Sequence, residues 1–159
     1  MLSRLLPAHL DNAFRGYRAA IWIFALITAF KLALGLVHVF SADGGAQTMS
    51  HIPLDSYAAG AAQNVVGIFA RLGLEQLLLG ALFVIVLLRY RAMIPLIFLL
   101  ALVAQAGAFA LAACKPLSLT VSPGVAPMYL VLSALYIAGL ALSLLERKSA
   151  DATPGAGTR

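Results

Sequence analysis

Four side chains that can take part in hydrogen bonding, one in each of four long apolar runs, lie at nearly the same depth. They are Lys31, Glu75, Gln105 and Ser133. At about 1.5 Å of rise per helical residue, each lies about 18–20 Å from the basic end of its run. A charged group at the centre of a bilayer costs at least about 2.5 kcal/mol, so this shared depth calls for an explanation.

Further polar residues extend this pattern towards the opposite end of the runs. Arg71 precedes Glu75 by one helical turn, so both project from one face. His38 follows Lys31 by two turns, and Tyr129 precedes Ser133 by one turn. The sequence thus predicts an interior polar column whose members are in contact or bridged by water: Lys31, Arg71, Glu75, Gln105, Ser133, His38 and Tyr129.

Three interpretations of this column differ in chemistry. In the first, Lys31, Glu75 and Arg71 form an ion-pair network that fixes helix order, and the amide and hydroxyl groups add hydrogen bonds between helices. In the second, the column lines an outward-facing cavity for a small ligand, a quinone head or a lipid headgroup. Two cations against one anion leave a net positive charge, which favours an anionic or dipolar neighbour. In the third, Glu75 and Lys31 serve a small-solute or proton-coupled transporter.

Other chemistry finds little support in the residue types. The single cysteine, Cys114, excludes an intramolecular disulfide and a CxxC pair. No Ser-His-Asp order or nucleophile elbow is present. His51 with Asp43 and Asp55 matches no closed metal site. We therefore assign no catalytic residue, no metal and no cofactor, and we expect a non-enzymatic protein.

The elements that must position these residues follow from composition. Of 159 residues, 62% are hydrophobic and 11% are charged, and the mean hydropathy is +0.96. Soluble domains are about 45–50% apolar and about 25% charged. Four apolar runs, over about 19–40, 65–88, 92–113 and 125–145, are each long enough to cross a hydrocarbon core of about 30 Å. The sequence predicts an all-α, polytopic membrane protein whose single domain, residues 1–148, is a four-helix transmembrane bundle.

The connecting segments carry more specific expectations. The short link Arg89-Tyr90-Arg91 predicts that the second and third helices form a tight antiparallel hairpin. Asp55 or Ser56 is expected to cap a helix that starts near Tyr57 and can continue into the second span. Residues 1–18 are expected to form an interfacial helix, with a continuous extension of the first span as the alternative. Residues 149–159 are expected to be a disordered tail.

Small residues mark two helix faces that can approach a neighbouring backbone closely. The second run has Gly73 and Gly80, and the third has Ala104, Ala108 and Ala112. The neighbour of the third run is either inside the bundle or in another chain, as in a homodimer or a larger membrane complex.

The distribution of Lys and Arg predicts orientation. One side of the predicted membrane carries Arg4, Arg15, Arg18, Arg89, Arg91, Arg147, Lys148 and Arg159, and the other carries Lys115. Because basic residues concentrate on the cytoplasmic side, this distribution predicts an up-down-up-down bundle with both termini cytoplasmic. It also explains the net charge of +5 without nucleic acid, which we do not expect as a partner.

Three segments resemble a known group of proteins: Asp11-Asn12 with Phe14-Arg15-Gly16, Ile52-Pro53-Leu54-Asp55, and the stretch Arg89-Tyr90-Arg91-Ala92-Met93-Ile94-Pro95. They are similar to a family of small four-span inner-membrane proteins of proteobacteria, and the architecture resembles the DoxX-like four-helix proteins. The resemblance implies the bacterial cytoplasmic membrane and assigns no activity. The function expected is that of an accessory subunit, or of a protein that binds a lipid, quinone or other small ligand.

Overall fold

The computed structural model describes residues 5–7, 9–120 and 127–145. Over these residues the fold is all-helical, with the main helices α1 (Arg18–Phe40), α2 (Ala59–Arg89), α3 (Ile94–Cys114) and α4 (Pro127–Leu144). Short 3₁₀ turns cover Leu54–Ser56 and Arg91–Met93. Four helices in this described part are long and apolar enough to cross a membrane. The all-α class and the composition of a multi-pass membrane protein are therefore confirmed.

Helix boundaries follow from local sequence. The chain leaves α1 at Ser41 and turns at Gly44 and Gly45, whose φ angles of 60° and 76° suit glycine. Pro95 lies in the first turn of α3, where a missing N–H has no helical partner to lose. Pro127 similarly begins α4.

The second helix is longer than its predicted span. It has 31 residues and begins at Ala59, so a helix that continues from the preceding segment into the span is confirmed. The expected cap is wrong, because Ala58 occupies the N-cap without a side-chain hydrogen bond. Asp55 instead accepts a hydrogen bond of 2.6 Å from the Gln47 side-chain amide.

The most extensive helix pair is α1 with α2, and glycine makes their close approach possible. A Cβ at Gly73 would lie 2.6 Å from His38 Cβ and 2.9 Å from the Gly35 carbonyl oxygen. Leu32 packs over Gly80 in the same way. The small face predicted at Gly73 and Gly80 is thus the contact with α1, and the two helices run antiparallel.

A layer of aromatic rings forms the centre of the core near the link at residues 90–93, at what we call the hairpin end. Phe24 of α1 contacts Phe83 of α2, with ring centroids 5.3 Å apart, and Phe98 of α3, at 5.6 Å. The Phe98 ring in turn packs against Gly139 of α4. We call these four residues the aromatic layer.

The predicted tight hairpin between α2 and α3 is wrong. In the described chain the principal pairs are α1 with α2, α3 with α4, and α1 with α4. Phe24 inserts its ring between Phe83 and Phe98, which separates α2 from α3 directly beyond their link. Few residues of α2 and α3 approach each other, and residues 106–114 of α3 are exposed.

In the described part of the N-terminal segment, residues 9–17 form neither the expected interfacial helix nor an extension of α1. Residues 9–17 are irregular, while residues 1–4 and 8 lie outside the described part. The Asp11 carboxylate accepts a bond from the Ala13 N–H, and Tyr17 N–H donates to the Leu142 carbonyl at 3.0 Å. A Cβ at Gly16 would meet the Ser143 backbone oxygen at 2.6 Å. The segment therefore packs across the end of α4, which competes with helix formation.

Segments 41–58 and 115–120 meet at the other end of the bundle, which we call the loop end. The His51 carbonyl accepts bonds from the Thr120 N–H at 2.9 Å and from the Thr120 hydroxyl at 3.1 Å. The predicted disordered tail, residues 149–159, lies outside the described residues.

Candidate functional site

A second layer, of polar side chains, lies two helical turns from the aromatic layer towards the loop end. Its members are separated from aromatic-layer residues by seven positions in three helices and by six in the fourth. A spacing of seven keeps a side chain on the same helix face, whereas a spacing of six in the fourth helix gives a similar depth on a different face. The pairs are Lys31 with Phe24, Gln76 with Phe83, Gln105 with Phe98, and Ser133 with Gly139. All four polar residues are half-buried, and we call them the polar layer.

The α2 member of this layer is Gln76, whereas the sequence pattern predicts its neighbour Glu75. One residue corresponds to about 100° of rotation on a helix. Gln76 is half-buried and Glu75 is exposed. The signal that could have found Gln76 is its register with the glycines, since it lies three residues after Gly73 and four before Gly80.

Lys31 has no carboxylate partner among the described residues. Its Nζ lies 6.0 Å from the centroid of the Phe83 ring, which is a cation–π distance. The predicted ion pair with Glu75 is not formed. The half-buried Lys31 ammonium has an aromatic ring as its neighbour, so its N–H groups remain available to donate hydrogen bonds.

Gln105 presents the second unused donor. Its Nε2 atom is buried and has no hydrogen-bond partner. Buried polar groups nearly always have partners, and an unsatisfied one costs about 1–3 kcal/mol. In the polar layer, Lys31 and Gln105 therefore lie at one level with donors that lack acceptors.

Ser133 does not form the expected hydrogen bond between helices, and Tyr129 does not lie in the interior. The Ser133 hydroxyl donates to the Tyr129 carbonyl oxygen at 2.7 Å, which is a bond within α4. The Tyr129 ring is 47% exposed and contacts Phe109 edge-to-face, with centroids 6.5 Å apart. Tyr129 consequently lies outside the polar layer.

Arg71 and Glu75 are placed on the face of α2 opposite α1, which corrects their assignment to the interior. Both are exposed. Neither forms a hydrogen bond or ion pair with any described residue. The physical reason is helix register: the glycines fix which face meets α1, and these two side chains project from the other.

His38 belongs to the loop end and not to a polar column. It is buried, its Nδ1 lies 2.6 Å from the Gly44 carbonyl oxygen, and its ring meets Phe69 at 5.6 Å. A Cβ at Gly45 would lie 2.9 Å from Nδ1, so the glycine turn is shaped around the imidazole. His38 thereby secures the turn that follows α1.

Asp43 organises the rest of that turn. Its carboxylate accepts backbone bonds from Thr48 at 2.8 Å, Gly45 at 2.9 Å and Gln47 at 3.2 Å. These donors, Thr48 first, lower the pKa of Asp43 from 3.8 to about 2. Its oxygens are therefore committed to structure, and no group of three or more metal-ligating side chains occurs in the described residues.

The structure therefore brings Lys31, Gln105 and Ser133 to one level, adds Gln76, and separates Arg71, Glu75, His38 and Tyr129 from them. Two unsatisfied donors suit an oxygen acceptor such as a phosphate, a carboxylate or a quinone carbonyl. No family model, no curated protein and no solved structure matches the chain.

Proposed function

We propose that this chain is a non-enzymatic, multi-pass protein of the bacterial inner membrane that binds the acidic headgroup of a phospholipid in its polar layer. The observation that carries the proposal is the pair of donors without acceptors, Lys31 Nζ and Gln105 Nε2. The resemblance to small four-span proteobacterial proteins supports the location, and the bias of Lys and Arg supports an up-down-up-down topology with cytoplasmic termini.

Charge favours an anion over a neutral acceptor. Lys31 is a cation without a carboxylate within ion-pair distance in the described chain. A buried charge is tolerated when it is paired and hydrogen-bonded. A lipid phosphate supplies a negative charge and several acceptor oxygens, whereas a quinone carbonyl supplies an acceptor alone.

The side between α2 and α3, two helices that make few contacts with each other, offers a route from the lipid phase. Phe24 separates these helices at the hairpin end, and beyond it Ala104 and Ala108 are exposed on α3. Small side chains there leave room for an acyl chain beside the polar layer. An amphiphile entering sideways would keep its tail in the membrane while its headgroup meets Lys31.

The test is retention of lipid by the full-length protein. Native mass spectrometry would follow reconstitution in a defined mixture of phosphatidylglycerol and phosphatidylethanolamine, with a parallel sample containing ubiquinone. We expect the wild type to retain one phosphatidylglycerol per chain and Lys31→Gln to lose it. Arg71→Gln is the matched control, since it removes a cation from another face of the same bundle and should keep the lipid.

Three results would contradict the proposal. Retention of ubiquinone instead of lipid would assign the site to a quinone. Equal retention by the wild type and Lys31→Gln would remove Lys31 from the site. Loss in Arg71→Gln with retention in Lys31→Gln would move binding to the outer face of α2.

A further inference from the structure

The face of α2 that points away from α1 carries an uninterrupted exposed stripe. Its spacing alternates between four and three residues: Asn64, Ile68, Arg71, Glu75, Leu78, Leu82, Ile85 and Arg89. Every one of these residues is exposed. A repeat of this kind averages 3.5 residues, which is the period at which two parallel helices keep one seam in contact.

The two charges in the middle of the stripe have no partner in the described chain. Glu75 lies fourteen residues from the Arg89 end of α2, about 21 Å along the axis, and therefore about 9 Å inside a core of about 30 Å. A short carboxylate at that depth does not reach the interface, unlike a long basic side chain. An unpaired charge that faces hydrocarbon costs free energy, so the exposed Glu75 carboxylate requires a partner of opposite charge.

Two possible partners for these charges, each other and a lipid phosphate, are both unfavourable. Pairing inside the helix would put Arg71 on the N-terminal side of Glu75, which is the weaker order for an ion pair one turn apart. A lipid phosphate at Arg71 would place a second negative charge next to Glu75. A partner must therefore present an anion and a cation one turn apart.

From this arrangement we infer that α2 is the interface of a parallel homodimer, in which Arg71 of each copy pairs with Glu75 of the other. A twofold axis along the membrane normal places the two stripes side by side at equal depth. The symmetry then forms the pair between Arg71 of one copy and Glu75 of the other twice in the same interface. The axial offset of one turn, about 6 Å, is within the length of an arginine side chain. Gly67, one turn before Arg71, has open space around it and permits close approach.

Cysteine cross-linking of the full-length protein in membranes tests the position of the seam. In a Cys114→Ala background, Leu78→Cys should form a disulfide-linked dimer, because Leu78 is 65% exposed in the stripe. Trp22→Cys is the control, since Trp22 is 76% exposed on α1, away from the stripe. This test leaves Arg71 and Glu75 intact, so it does not depend on how well charge variants fold.

Charge exchange tests the pairing. Arg71→Glu and Glu75→Arg should each raise the dimer dissociation constant about tenfold or more, from the strength of two polar interactions between membrane helices. The double variant Arg71→Glu/Glu75→Arg should restore dimerisation, because a twofold seam with both charges reversed is again complementary. The oligomeric state would be measured by single-molecule photobleaching in nanodiscs, with circular dichroism as the check of helicity.

The inference is overturned if the wild type is monomeric, if Leu78→Cys and Trp22→Cys cross-link equally, or if the double exchange fails to restore a folded dimer. A monomer that carries a lipid or another protein on α2 would also overturn it. Lipid retention in the polar layer depends on Lys31 and not on this seam, so the two proposals fail independently.

Discussion

Gln105 holds a buried donor without a partner among the described residues, which lowers the stability of the fold. Its buried amide nitrogen has no acceptor, and Gln105→Leu would remove that donor while keeping a similar volume. We expect the free energy of unfolding of the delipidated protein to rise by about 1 kcal/mol. Gln63→Leu is the control, since Gln63 is exposed near the start of α2. Unfolding in bicelles by steric trapping would measure both, and a lower stability of Gln105→Leu would indicate that the amide is already satisfied.

Asp43 makes the turn after α1 sensitive to acid. Its pKa of about 2 lies below the ordinary 3.8, so the folded turn favours the carboxylate. The resulting stabilisation is complete above 3.8 and is lost as the pH falls through about 2. Thermal unfolding of the wild type and Asp43→Asn should therefore differ by a constant amount at neutral pH and converge towards pH 2. A difference that stays constant down to that pH would contradict this role for the carboxylate.

For residues inside the apolar runs, the sequence indicates depth more directly than direction. Distance from the ends of the runs predicts one level for Lys31, Gln105 and Ser133, and all three are half-buried in the structure. Glu75 was selected in the same way and is exposed, because depth varies slowly along a helix while direction turns by about 100° per residue. Direction follows from the contact face, and on α2 the sequence signal for that face is the register with Gly73 and Gly80.

The close contact between α1 and α2 depends on glycines, which have no side chain to hold the two helices apart. Gly73→Ala would place a Cβ 2.6 Å from His38 Cβ, 2.9 Å from the Gly35 carbonyl oxygen and 3.0 Å from the Val39 backbone nitrogen, and none of these atoms can move aside easily. We expect a loss of about 1–3 kcal/mol in the free energy of unfolding. Gly67→Ala in the same helix meets nothing within 4 Å and should leave the stability of the monomer unchanged or slightly higher.

The comparison of these two glycine variants would be made in the same bicelles by steric trapping. Equal effects would mean that the substitution acts through helix propensity and not through the contact. An additional loss of dimer in Gly67→Ala alone would be consistent with the seam on α2.

At the level of elements, the sequence predicts helices better than it predicts their neighbours. The apolar runs and the proline positions gave the main helices to within a few residues, except that α2 begins at Ala59. The short link predicts that α2 and α3 pack tightly. The length of a link, however, gives no information about side chains from other helices that lie between the two. The Phe24 ring comes from a helix distant in sequence, so no local pattern near residues 89–91 could reveal it.

For the whole molecule, the exposed surface is itself informative. Trp22 and Phe40 of α1 are 76% and 78% exposed, and leucines along α2 are exposed as well. A soluble monomer rarely exposes large contiguous apolar patches, whereas a lipid-facing surface must be apolar. The amino-acid composition is sufficient to predict a lipid-facing surface, because such a surface depends on the total apolar content of the chain and not on which residues are in contact.

Orientation in the membrane is a property of the whole chain that labelling can measure. The loop end, with Lys115 as its basic residue, is expected outside, and the hairpin end, with Arg89 and Arg91, inside. In a Cys114→Ala background, a membrane-impermeant maleimide applied to spheroplasts should label Met49→Cys and spare Leu145→Cys. Both residues are exposed in the structure, at 42% and 50%, so a difference in labelling would report sidedness and not burial. Permeabilised cells should label both residues, and the opposite pattern in intact spheroplasts would reverse the predicted topology.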